Sequence, residues 1–268
     1  MTRRGIEIDG VSKTHWTRRG EPVEALRAVD LAVTEGEFVA LVGPSGCGKS
    51  SLLRIVAGLA APSAGRVTID GVTVTGPRPD VGLLFQRPTL LPWRTVRKNV
   101  LLPAEVLGLD RRLAAVRAAE LLNLVGLRGF EEALPAELSG GMQGRVALAR
   151  SLLQDPAILL MDEPFAALDA LTREDLAREL LGVWDRFRKS VLFVTHAIPE
   201  AVFLADRVAV MTSRPGHIAA IVPVDLPRPR DPSVVDTVAF GAIAAQVRAL
   251  LARRAGLPPV SSSSDGRP

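Results

Sequence analysis

The sequence predicts an α/β fold built mainly on a parallel sheet, with an N-terminal antiparallel β subdomain and a helical subdomain inserted in the middle. Three observations carry this expectation. Phe38–Val42, Ala157–Met161 and Ser190–Val194 are uninterrupted apolar runs of strand length, the pattern of strands buried on both faces. The first run leads directly into a glycine-rich loop and a helical stretch, Ser51–Ala57. From about Thr95 to Gln154 there is no convincing strand but several helical patterns, among them Leu121, Leu122, Val125 and Leu127 on one side.

Taken in order, residues 6–9 and 29–33 alternate like antiparallel strands, and Asp70-Gly71 supplies a hairpin turn between Val67–Asp70 and Val72–Thr75. Glu200–Ala205 and Val234–Arg254 read as helices. Residues 258–268 are polar and rich in serine, as in a frayed terminus.

Composition narrows the function. The 268 residues are 47% hydrophobic and 23% charged, which excludes collagen-like, largely disordered and disulfide-scaffold classes. The single cysteine, Cys47, cannot form an internal disulfide and fits a reducing compartment. No apolar run approaches the roughly 18 residues of a membrane span, and the N-terminus lacks a signal-peptide pattern, so a cytosolic location is expected. Of the 33 basic residues 29 are arginine, yet the net charge is only +4 and no basic block occurs. Nucleic acid is therefore not expected as a partner.

Three motifs carry chemistry. Gly43-Pro44-Ser45-Gly46-Cys47-Gly48-Lys49-Ser50 fits G-x-x-x-x-G-K-[ST] between a strand and a helix, the context a phosphate-binding loop requires. Glycines let backbone N–H groups and the helix N-terminus face an anion, Lys49 reaches the β- and γ-phosphates, and the Ser50 hydroxyl is placed for Mg²⁺. Ile158–Glu163 ends a buried strand in two adjacent carboxylates. One suits metal and the other suits activation of water. Leu138-Ser139-Gly140-Gly141-Met142-Gln143 opens a helix with Ser139 as N-cap and bare glycine N–H groups behind it, a second anion cradle.

With these motifs in this order, the chain resembles the ATP-binding cassette of ABC transporters over nearly its whole length. Gln86 looks like the Q-loop glutamine, Asp169 like the D-loop aspartate and His196 like the switch histidine. The resemblance implies a P-loop ABC ATPase core over residues 1–257, with the helical subdomain at roughly 88–155. It implies that ATP lies on Gly43–Ser51 and that Mg²⁺ is held by Ser50, Gln86 and Asp162. Glu163 is then the general base, His196 contacts the γ-phosphate, and Gln86 senses metal, water and the transmembrane partner. In the family two cassettes pair head to tail, so Ser139, Gly140 and Gly141 of one subunit close over ATP on the other while Asp169 couples the two sites. Two separate transmembrane permease subunits and a solute-binding protein complete such systems.

The segments Phe85–Val100 and Glu200–Ile218 resemble the nitrate/sulfonate/taurine branch of importer ATPases, at the cytoplasmic face of the bacterial inner membrane. An exporter ATPase, or a cassette ATPase acting on nucleic acid, is the alternative. The apolar stretch Pro88–Trp93 is open to two readings, a permease contact or internal packing. The sequence departs from the family at three places. The adenine-stacking position, where a larger aromatic residue such as tyrosine is usual, holds His15, and the neighbouring Trp16 is the alternative stacking ring. Gly144 replaces a common polar residue, and Ala197 a frequent aspartate.

Overall fold

The computed structural model describes residues 5–254, Ala167 excepted. Strands β1 (Gly5–Trp16) and β2 (Pro22–Thr34) pair antiparallel. Ile6, Ile8 and Val11 of β1 and Val29, Leu31 and Val33 of β2 turn inward, so the predicted alternation is realised over longer strands than expected. After β3 (Phe38–Val42) and α1 (Lys49–Val56), β4 (Ala64–Ile69) joins β1 and is itself followed by the short β5 (Val72–Thr73). The Asp70-Gly71 turn between them has positive φ at both residues (53° and 78°), the primed geometry that matches strand twist. The first sheet thus runs β2-β1-β4-β5.

The second sheet contains β6 (Val81–Leu84), β7 (Ile158–Asp162), β8 (Ser190–Thr195), β9 (Arg207–Met211) and β10 (Ile218–Pro223), in the order β10-β9-β3-β8-β7-β6. All neighbours are parallel except β10 on β9. The three predicted buried strands are its centre. Strands β6, β9 and β10, runs of four to six residues, are not among the strands expected from composition and periodicity.

Helices α2 (Val96–Val100), α3 (Leu102–Leu107), α4 (Arg111–Leu124) and α5 (Gly140–Leu152) fill the strand-free middle. Helix α6 (Ala170–Phe187), also unpredicted, follows β7, and α7 (Ile198–Leu204) follows β8. Helix α8 (Val238–Arg254) closes the described chain; the helix expected from Val234 begins later, because Pro232–Asp236 form a 3₁₀ turn. Val125 and Leu127 lie just past the end of α4, yet both are buried. The polar tail 258–268 lies outside the described residues. No helix among the described residues is long and apolar enough to cross a membrane.

Strand pleating divides the core in two. Val39, Leu41, Ile158, Leu160, Leu192 and Val194 face α1 and the inner side of the first sheet. Phe38, Ala40, Leu159, Met161, Val191 and Phe193 face the helices on the other side, where the Phe38 ring packs edge-on to Trp184 at 5.9 Å and beside Phe193 at 5.8 Å.

The stretch Pro88–Trp93 is packed inward at one residue and open to solvent at another. Leu90 packs against the core, whereas Trp93 is 74% exposed. Asn99 of α2, fully buried, fixes this segment. Its Oδ1 accepts from the Leu91 N–H (2.8 Å), and its Nδ2 donates to the carbonyls of Leu91, Arg94 and Thr95. Replacing Asn99 with Ala leaves these groups unpartnered in a dry site. Urea denaturation is expected to show a loss of about 2–3 kcal/mol, and a loss below about 0.5 kcal/mol would mean that water satisfies them.

Candidate nucleotide site

The phosphate loop leaves β3 at Val42 and enters α1 through two left-handed glycines, Gly46 (φ 76°) and Gly48 (φ 105°). At Gly48 a Cβ would stand 2.6 Å from Leu26 and 2.8 Å from the Ala25 carbonyl oxygen, so no larger residue fits. No side chain caps α1, which leaves its first N–H groups turned toward the loop. Lys49 is buried beneath it, its Nζ donating to the carbonyls of Gly43 (2.8 Å) and Pro44 (3.1 Å). Cys47 is also buried, with Sγ against Gly43. Ser45 lies exposed at the rim.

Strand register brings the other groups to the loop. Val42 pairs with Thr195, and Val194 with Asp162, so β3, β8 and β7 end side by side. Asp162 has the pleat parity of Ile158 and Leu160, which sets it on the α1 side. There its Oδ1 accepts from the Ser50 hydroxyl at 2.9 Å. Burial raises the Asp162 pKa above the ordinary value; the Ser50 hydrogen bond opposes this and the neighbouring Glu163 charge adds to it.

Glu163 adopts φ 46°, a left-handed conformation that costs a non-glycine residue on the order of 1 kcal/mol. Its N–H donates to the Val194 carbonyl (2.9 Å), and its Oε2 lies 3.2 Å from His196 Nδ1. Gln86 emerges two residues after Leu84, whose register partner is Met161, and is exposed at the same sheet end. His15 Nε2 lies 3.2 Å from the Ser51 hydroxyl, which puts His15 beside the start of α1, whereas Trp16 is 71% exposed.

Sequence reasoning did not single out Glu200. From α7 its Oε2 accepts from the Thr195 hydroxyl (2.5 Å), which in turn accepts from the Ala197 N–H (3.0 Å), so the turn around His196 is fixed on both sides. Its Oε1 lies 3.5 Å from Nε of Arg173 on α6, and Arg173 also donates to the Leu168 carbonyl. Burial pushes the Glu200 pKa up, against the hydrogen bond from Thr195 and the charge of Arg173. Only its place at the head of a predicted helix hinted at a role.

The second cradle is at the start of α5. Ser139 is the N-cap, its Oγ accepting from the Met142 N–H (3.2 Å). At Gly141 a Cβ would come within 2.5 Å of the Thr172 methyl, while Gly140 has more room. Thr172 itself is held by Asp169, the N-cap of α6, through backbone (3.0 Å) and hydroxyl (2.7 Å) donors. Gly144 meets only ordinary contact with Leu176, so nothing steric requires glycine there. Among the described residues, no hydrogen bond or ion pair joins Ser139–Gly141 to the phosphate loop.

The raised pKa means that the folded protein holds the Asp162 proton more tightly than the unfolded chain does. The charged form therefore costs stability at neutral pH, and this cost fades as the pH falls through the raised value. Replacing Asp162 with Asn, which can still accept from Ser50, is expected to raise Tm at pH 7 by about 2–4 °C, with a smaller gain in acid. A lower Tm at pH 7 would contradict this reading.

The ABC transporter family profile matches residues 26–166. The chain is 52% identical over 235 residues to the uncharacterized ABC transporter ATP-binding protein MJ0412 of Methanocaldococcus jannaschii, with 88% of each chain covered. It is 48% identical to the taurine import ATP-binding protein TauB of Rhizobium johnstonii, covering 83% of this chain and 85% of that one. It is 46% identical to the nitrate import ATP-binding protein NrtD of Synechocystis, covering 83% of each. Among solved structures, the dimeric post-hydrolysis state of the ATP-binding cassette MJ0796 bound to ADP and Pi superposes with a TM-score of 0.72 at 33% identity, covering 83% of this chain and all of that one. Identity near one half, sustained over more than four fifths of the chain, shows that this protein belongs to the ATP-binding cassette family of ABC transporters and is an ATPase.

Proposed function

We propose that this chain energises uptake of a small anion of the nitrate, sulfonate or taurine kind, as one of two ATPase subunits attached to two separate permease subunits. In this reading it sits at the cytoplasmic face of the membrane and works with a solute-binding protein outside. The observation that carries the chemistry is the in-register ending of β3, β8 and β7, which gathers phosphate loop, His196 and the Asp162–Glu163 pair at one sheet end. The cargo class is supported by the taurine and nitrate relatives.

The loop N–H groups and Lys49 bind the ATP phosphates, Ser51 borders them, and His15 lies against the adenine. The Ser50 hydroxyl and Asp162 carboxylate, already in contact, form a hard-oxygen donor set that fits Mg²⁺, with Gln86 completing it. Mg²⁺ bound there would neutralise charge on the phosphate oxygens. Glu163 takes the proton of the attacking water, and His196, hydrogen-bonded to it, orients the carboxylate toward the γ-phosphate.

Ser139–Gly141 form no hydrogen bond or ion pair with the loop of their own chain among the described residues, and in this reading they serve the other site of a pair. Ser139 of the partner subunit would cap ATP bound here, Gly140 and Gly141 would keep the approach open, and Asp169 would carry the state of one site to the other. Closure on ATP and opening after hydrolysis is a ligand-driven population shift. The exposed Trp93, in the segment that follows Gln86, offers the permease a contact.

The test is the Glu163→Gln protein in light scattering. Without its base the turnover is expected to fall by about 10²-fold or more, and MgATP should double the molar mass while MgADP does not. Unchanged turnover would remove Glu163 from its role. A monomer at saturating MgATP would overturn the shared-site reading.

A further inference from the structure

The turn between β9 and β10, Thr212–His217, takes no part in the mechanism above. It is closed on itself: the Thr212 N–H donates to the His217 carbonyl (3.0 Å), and the His217 N–H donates to the Thr212 hydroxyl (3.1 Å). It is also fastened to β2, since the Gly216 N–H donates to the Ala25 carbonyl (2.9 Å) and the Arg27 N–H to the Gly216 carbonyl (3.0 Å).

From this base Arg214 reaches the phosphate loop. Its Nε and Nη2 lie 3.2 and 3.1 Å from the Gly46 carbonyl oxygen, 168 residues away in sequence. Two residues on, Gly216 abuts the next peptide, because a Cβ there would overlap the Cys47 carbonyl oxygen. The carbonyls of Gly46 and Cys47 are thus both turned toward this turn. In a trans peptide the C=O and N–H point in opposite directions, so the N–H groups of Cys47 and Gly48 are turned away from it. The Cys47 N–H donates across the loop to the Pro44 carbonyl (3.3 Å), a long bond that an entering phosphate would replace. These are the donors a phosphate would meet. Gly46 is exposed and left-handed, a conformation that glycine enters and leaves at little cost, so sterics alone do not hold its peptide.

We infer that Arg214, carried on the Thr212–His217 turn, is a positioning residue that braces the phosphate loop from outside and presents the Cys47 and Gly48 N–H groups to the phosphates. This rests on the ATP-binding reading above. The brace acts on binding more than on the chemical step, because among the described residues no hydrogen bond or ion pair joins Arg214 to Glu163 or His196. Its guanidinium also adds positive charge beside an anion site.

The experiment compares Arg214→Ala and Arg214→Lys in the full chain, with Lys49→Ala as reference. It measures MgATP and MgADP affinity by calorimetry, KM and kcat by phosphate release, and Tm without nucleotide. For Arg214→Ala the dissociation constants and KM are expected to rise about three- to tenfold, the range for losing an exposed charged donor, while kcat falls by less. Arg214→Lys should fall between, since an ammonium supplies the charge without the fork. A lowered Tm with unchanged affinity would make Arg214 merely structural and overturn the proposal. Wild-type affinity and KM in Arg214→Ala, with Lys49→Ala unable to bind, would overturn the brace and leave the ATP site standing. An unmodified chain that binds no MgATP would overturn the nucleotide reading, and the brace with it.

Discussion

Side-by-side termination of three parallel strands is the constraint on which the rest depends. Val42, Thr195 and Asp162 end β3, β8 and β7 within one residue of common register. Ligands in such sheets bind beyond the carboxyl ends of the strands. Pleat parity then decides which side chain faces which layer. Asp162 shares its parity with Ile158 and Leu160, so it meets Ser50 at the start of α1. The opposite parity of Thr195 sends its hydroxyl toward Glu200 on α7. A shift of one residue in any of these strands would exchange the two faces and dismantle the site. The apolar runs that fill both faces of the sheet hold that register, so core packing and chemistry are one problem here.

The site is assembled from locally unfavourable choices. Asp162 is a carboxylate whose burial disfavours its charge, and Glu163 occupies a backbone conformation better suited to glycine. Lys49 is nearly fully buried, with its ammonium satisfied by two loop carbonyls. Strain of this kind persists only where surrounding structure over-determines it. The Val194 carbonyl accepting from Glu163, and the Arg173–Glu200–Thr195 chain beside His196, supply that surrounding structure. Because Arg173 also holds the Leu168 carbonyl, next to Asp169, the same chain links the two loops that flank the Glu163–His196 pair.

What was legible in the sequence was what the backbone itself demands. The phosphate loop needs glycine at Gly46 and Gly48 because of positive φ and close approach, and Ser139 is needed where α5 lacks an internal acceptor. Such requirements leave fixed residues at fixed spacing. The three central strands were legible because burial on both faces removes polar residues from a whole run. Strand β6 has only four residues, β9 opens on a charged arginine, and β10 is buried fully at one position alone, so none of them is buried along its whole length as those three are. The 18-residue α6 does carry the helical period, with Leu176, Leu180, Val183 and Trp184 buried on one side and charges on the other, a signal that the sequence reading passed over. Glu200 and Arg214 were illegible for another reason. Each acts through partners that only the fold brings close, Arg173 for one and the Gly46 carbonyl for the other.

The central claim is that each chain carries two halves of different sites, a phosphate loop for its own ATP and a Ser139 cradle for its partner's. Mixing two lesions tests it most directly, Lys49→Ala in one preparation and Ser139→Arg in the other. Each alone should be without turnover. A mixed pair contains one site with both lesions and one with neither, so the mixture should regain ATPase activity well above the sum of its parts. Full turnover by Ser139→Arg alone, or a mixture no more active than its components, would contradict the account.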